Sequence, residues 1–232
     1  DMLTARTTIP DVNFEKALIA LGHDDVEDGS VLTSNINTIT SLDVSSKGIT
    51  DLTGIEDFIA LTYLKCNHNE LENLISPENL NELACYSNKL SSIDLSKSKD
   101  LVKLQCQNNE LTSINITSNE VLKNFRCDSN MITGLDLSQN PDLEYLLCGG
   151  NQLSSLDVSN NHKLIRISVI HNILTSIVLS QISNSTLEEL SCHHNELIGL
   201  DVSNFKKLEF LFCYNNNLTS LNLQTGNNTN MG

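Results

Sequence analysis

The chain has 232 residues, 39% of them apolar and 4% aromatic, with no tryptophan and a formal net charge of −15 at pH 7. That acidity argues against nucleic acid or an anionic membrane surface as partner, since both repel a polyanion. No apolar run is long enough to span a bilayer, and the length fits one elongated domain.

In chain order, residues 1–10 read as a loose polar lead. Residues 1–4 carry no signal peptide, and a leader removed on secretion is the expectation. Residues 11–38 read as an N-terminal helical cap: Asp11 is a good N-cap, Phe14, Leu18 and Leu21 fall on one helix face, and Gly22 stops the helix. Residues 24–29 (DDVEDG) weakly suggest a calcium loop. Val26 cannot ligate at the third loop position, so an acidic turn is the reading adopted. Residues 39–60 form a degenerate first repeat, with Ile39, Leu42, Val44, Ile49 and Leu52 in register but Lys47 where an asparagine belongs.

Residues 61–223 then repeat a unit of about 21 residues, L-x-x-L-x-C-x-x-N-x-L-x-x-L-D-[LV]-S, eight times. Cysteine fills its slot at 66, 85, 106, 127, 148, 192 and 213, and Val169 takes the place of the missing member. Three residues later comes an asparagine in every unit: Asn69, Asn88, Asn109, Asn130, Asn151, Asn172, Asn195 and Asn216. Leu64 and Cys66 are two apart and so share one face of a short strand. The asparagine that follows has an amide able to satisfy backbone groups of its own turn and the next. In the returns, Leu135, Asp136 and Leu137 alternate inward and outward. No unit can bury its leucines alone, so neighbours must stack into a solenoid. The tail, 224–232, is polar and expected to be disordered.

These units, such as residues 101–111 (LVKLQCQNNEL), resemble the leucine-rich-repeat family. They are closest in style to the short internalin-like repeats of secreted bacterial proteins, with Cys in a leucine slot. Residues 9–18 (IPDVNFEKAL), Asp28, Gly29 and residues 54–58 (GIEDF) resemble the cap seen on such proteins from Bacteroidetes-type bacteria. The resemblance implies a parallel β-sheet on a concave face, short extended or irregular returns on the convex face, and a non-enzymatic binding function outside the cell. It leaves the partner open, because the family binds very different molecules.

Chemistry-bearing patterns are few. The cysteines recur once per coil in a core column and are read as small buried hydrophobes with free thiols. Parallel Cβ vectors on adjacent strands suit disulfides poorly. His171 and His194 share a column in adjacent coils beside His193. They are read as surface binding residues, with zinc as the alternative and no metal assigned. No phosphate loop, nucleophile elbow or zinc helix occurs, so neither enzyme activity nor a cofactor is expected.

Outward-facing strand positions carry the functional expectation. Five columns in eight coils give 40 positions, where chance would put fewer than one of the four tyrosines, yet Tyr63, Tyr86, Tyr145 and Tyr214 all fall there. Tyrosine's preference for strands is the competing explanation. With Arg126, Leu147, Arg166, Ile170, His171, His193, His194, Phe210 and Phe212, they form the candidate partner-binding set. The nine of these from Tyr145 onward, Arg166 aside, are expected to gather into one patch about 15 Å long across four strands. Its cover is a partner, a second copy of the chain, or a further C-terminal segment. The first reading is a secreted or cell-surface bacterial protein that binds another protein, with host extracellular or immune proteins as candidates. A glycan-binding adhesin and a structural spacer of a larger surface protein are the alternatives.

Overall fold

The computed structural model describes residues 4–179, 186–223 and 230–231. The cap begins earlier than the sequence suggests. Strand β1 (Arg6–Thr8) pairs antiparallel with β2 (Ser30–Leu32), so the described part of the lead is not loose. Thr7 and Ile9 are buried, and Thr7 Oγ1 donates to Asp57 Oδ2 at 2.6 Å. A three-residue strand carries too little periodicity to be read from sequence.

Between these strands lies α1 (Val12–Ala20). Asp11 caps it, its side chain accepting from the N–H groups of Asn13 and Phe14. At its end Gly22 takes a positive φ of 79°, and His23 N–H reaches Leu18 O while Gly22 N–H reaches Ile19 O, a Schellman motif. Phe14 and Leu18 are buried, but Leu21 stays 47% exposed and is not part of the core face. The acidic turn at 24–29 closes on Glu15, whose buried carboxylate accepts the N–H groups of Asp28, Gly29 and Ser30. Asp11 also accepts from Thr50 and Asp51, tying the cap to the first coil. Gly54, at φ 98°, is obligatory there, since a Cβ would sit 2.6 Å from Thr8 O. A short helix α2 (Thr33–Ile36) and a 3₁₀ turn (Ile55–Asp57) complete this end.

Each coil then contributes one strand to a single parallel sheet of ten. Along the sheet these are β3 (Ser41–Asp43), β4 (Tyr63–Lys65), β6 (Glu82–Ala84), β8 (Lys103–Gln105), β9 (Asn124–Arg126), β10 (Tyr145–Leu147), β12 (Arg166–Ser168), β14 (Glu189–Ser191), β16 (Phe210–Phe212) and β18 (Asn230–Met231). The return sides carry two-stranded parallel sheets: β5 (Asn73–Ile75) with β7 (Ser92–Asp94), β11 (Ser155–Asp157) with β13 (Ser176–Val178), and β15 (Gly199–Asp201) with β17 (Ser220–Asn222). The tail thus supplies a strand at 230–231, contrary to the disorder expected throughout it; residues 224–229 and 232 lie outside the described residues. Register is uniform, with Leu64, Leu83, Leu104, Phe125, Leu146, Ile167, Leu190 and Leu211 stacked in one buried column.

The asparagine column is a hydrogen-bonded ladder. Asn130 is typical: Nδ2 donates to Cys106 O at 3.1 Å and Cys127 O at 3.0 Å, and Oδ1 accepts from Leu111 N–H at 3.1 Å. The same pattern joins coils from Asn69 to Asn216. A second ladder runs along the returns and was not read from the sequence. Asn119, Asn140 and Asn161, each 21 apart, donate to carbonyls of their own coil's predecessor, as in Asn140 Nδ2 to Ile116 O at 3.0 Å and Asn119 O at 2.8 Å. Ser98 begins that column by bonding Ser76 and Pro77 O, and buried Phe205 occupies the same position in a later coil.

Candidate binding surface

The strand sheet presents its outward side chains from columns flanking each core residue. Two residues beyond the cysteine slot, every coil turns through a left-handed residue: Ser46, His68, Ser87, Asn108, Ser129, Gly150, His171, His194 and Asn215 all have φ between 53° and 61°. From Ser46 to His194 each donates its N–H to the next coil, as His171 does to His193 O at 3.2 Å. Asn, His and Gly tolerate this conformation better than most residues. Part of the histidine enrichment on this face therefore follows from the backbone, a cause that spacing alone does not reveal.

The column just before it is only partly outward. Asn67 and Gln107 are buried, so that position is no uniform surface. Where it is open it holds Tyr86, Ile170, His193 and Tyr214. Ile170 packs over Gly149, whose missing Cβ would stand 2.8 Å from Ile170 Cγ1.

Among the predicted site residues, the last coils do come together. His193 stacks on Tyr214 with centroids 4.4 Å apart, and His171 stacks on His194 at 4.3 Å. His194 meets Tyr214 edge-on at 5.6 Å. On the neighbouring strand Phe210 and Phe212 lie parallel at 6.5 Å, both pointing away from core Leu211. Tyr145 and Leu147 do not join them. Between β10 and β16 stand Arg166 paired to Glu189 at 3.1 Å and the largely buried Ser168 and Ser191, so the expected patch is interrupted by two polar strands. Sequence columns do not separate open from buried positions, nor show which rows a small serine or an ion pair divides.

The remaining candidates sit apart. Tyr86 meets His68 edge-on at 5.2 Å, and Lys65 lies over the Tyr63 ring at 5.6 Å. Arg126 bonds Asp128 at 2.9 Å. Lys103 and Glu82, in register on adjacent strands, approach to 3.6 Å. The middle of the sheet is thus a neutralised, cross-paired surface.

The thiols lie on the other side of the strands. All seven cysteines are free; six are buried and Cys213 is half-buried. Burial pushes the Cys66, Cys85 and Cys127 thiols well above the usual range and Cys192 to about 12, which disfavours the thiolate at these four positions.

No protein-family model and no curated protein sequence matches the chain. Solved structures do match. The functional domain of InlJ from Listeria monocytogenes, described as including a cysteine ladder, is 30% identical over 99% of this chain, with a TM-score of 0.67. The fold is a leucine-rich-repeat solenoid. Internalin C2 from Listeria monocytogenes superposes with a TM-score of 0.67 at 20% identity, covering 94% of this chain and 99% of that one. The LRIM1/APL1C complex matches 93% of this chain and 45% of that one, with a TM-score of 0.69 at 16% identity. The chain spans 50% of the InlJ domain structure. Among the described residues, no helix is long and apolar enough to cross a membrane.

Proposed function

We propose that this leucine-rich-repeat chain is a secreted or surface-exposed bacterial binding protein, not an enzyme, and that it recognises another protein through the outward face of its strand sheet. The observation that carries the reading is the aromatic cluster of the last coils. Phe210 and Phe212 lie parallel on β16, His193 and Tyr214 stack just beyond the ends of β14 and β16, and Tyr214 is 50% exposed. Rings held by a sheet lose little side-chain entropy on contact, and clustered exposed aromatics are typical anchors of protein interfaces. The surrounding chain, at −15 overall, keeps the molecule soluble while the face itself stays near neutral. Likeness to internalins supports a location outside the cell and, in an organism living on a host, an extracellular host protein as partner.

The experiment is capture with two double variants, F212A/Y214A and Y63A/Y86A. The first should weaken binding of a true partner by about 2 kcal/mol or more with the fold intact, and the second should not. Loss of glycan-array signal with F212A/Y214A, and no change in protein capture, would replace the reading with a carbohydrate adhesin.

A further inference from the structure

The histidines of the last coils have a chemistry beyond stacking. His171 comes from one coil and the pair His193 and His194 from the next. Each offers a ring nitrogen, and these atoms all lie within 4.8 Å of one another. Three imidazole nitrogens about 2.0–2.1 Å from a tetrahedral zinc stand roughly 3.4 Å apart. His171 is exposed and the other two are half-buried; the His171 and His194 rings, stacked at 12°, must unstack by rotation about χ1 and χ2 for their nitrogens to converge on one ion.

The backbone accounts for only part of this cluster. His171 and His194 occupy the left-handed column, where histidine is tolerated. His193 does not. It sits in the preceding column, where other coils carry Asn67, Gln107 or Gly149, and no conformational demand selects an imidazole there. Its Nδ1 is buried without a hydrogen-bond partner, a polar atom left unsatisfied beside two further imidazoles. Burial first, and then the nearness of His194 and His171, holds His193 below the usual imidazole range. Asn215 Nδ2 lies 3.1 Å from His194 Nε2 and 3.3 Å from Nδ1, and must turn aside for that ring to ligate.

We propose that His171, His193 and His194 form a three-histidine site for a zinc-class divalent ion, bridging two consecutive coils and leaving a coordination position open to solvent. Imidazole nitrogen suits late first-row metals, and three protein ligands leave a fourth position for water or for a carboxylate or imidazole from another molecule. The ion staples neighbouring coils beside the aromatic cluster. The site stands whether or not that cluster binds a protein.

The test uses tag-free, chelator-treated protein titrated with Zn²⁺ alone, followed by calorimetry and thermal unfolding. One equivalent should bind and raise Tm. Variants are drawn from residues that other coils already hold at the same positions: H171N and H194N, as at Asn108, and H193Q, as at Gln107. Each should keep the metal-free Tm close to the parent value while weakening Zn²⁺ at least about tenfold. H68N, in the same column but far along the sheet, should bind as the parent does. Absence of stoichiometric binding, or binding that all three variants retain, overturns the site.

Discussion

At the residue scale, the coil is specified by amides. Asn130 accepts the buried Leu111 N–H and shares Cys106 O and Cys127 O with the asparagines of the neighbouring coils, so N130A should destabilise by about 1–3 kcal/mol in urea unfolding. The return ladder predicts a comparable loss for N140A, whose donors serve Ile116 O and Asn119 O. An N140A protein as stable as the parent would show that the second ladder is idle. The first ladder was legible because its asparagine follows the cysteine slot at fixed spacing in every unit. The second was not, because among the described residues it appears in three coils, with serine at 98 and phenylalanine at 205 in its place. Thiol reactivity gives a further check. Sequence alone treats the seven cysteines alike, but Cys213 is half-buried and burial raises its thiol. A maleimide should modify Cys213 first and reach the other six only on unfolding; rapid labelling of Cys106 in native protein would contradict the core assignment.

At the element scale, several returns turn on an acidic side chain. Asp136, Asp157 and Asp201 accept the backbone N–H two residues on, closing an Asx turn, and the serine there holds each carboxyl below its usual range. A lowered folded pKa means the carboxylate stabilises the fold above the unfolded value of about 3.9, and the contribution is lost as pH falls through the folded value. D157N keeps the acceptor, as Asn115 already does with Thr117. It should leave Tm near pH 7 unchanged and flatten its fall between about pH 5 and pH 3. An unaltered acid profile would remove Asp157 from the pH dependence. The inward and outward alternation of Leu135, Asp136 and Leu137 made these returns readable, whereas β1 depends on Thr7 meeting Asp57, a contact 50 residues away.

At the scale of the whole molecule, identical coils build a sheet whose two ends differ in chemistry. The cap end is locked by Asp11, Glu15 and Gly54. The middle pairs its charges across strands, and the far end gathers rings and imidazoles. The columns group the candidate residues by height, but three-dimensional neighbours decide which of them cooperate: Arg166 with Glu189 separates Tyr145 from Phe210, and no periodicity announces that. The most direct measurement of the binding claim is quantitative capture of the protein's partners by the parent, F212A/Y214A and Y63A/Y86A, with all three matched for Tm. The account predicts a partner held by the parent and by Y63A/Y86A and lost by F212A/Y214A. Equal capture by F212A/Y214A, with binding lost instead in Y63A/Y86A, would contradict it and move the site to the cap end of the sheet.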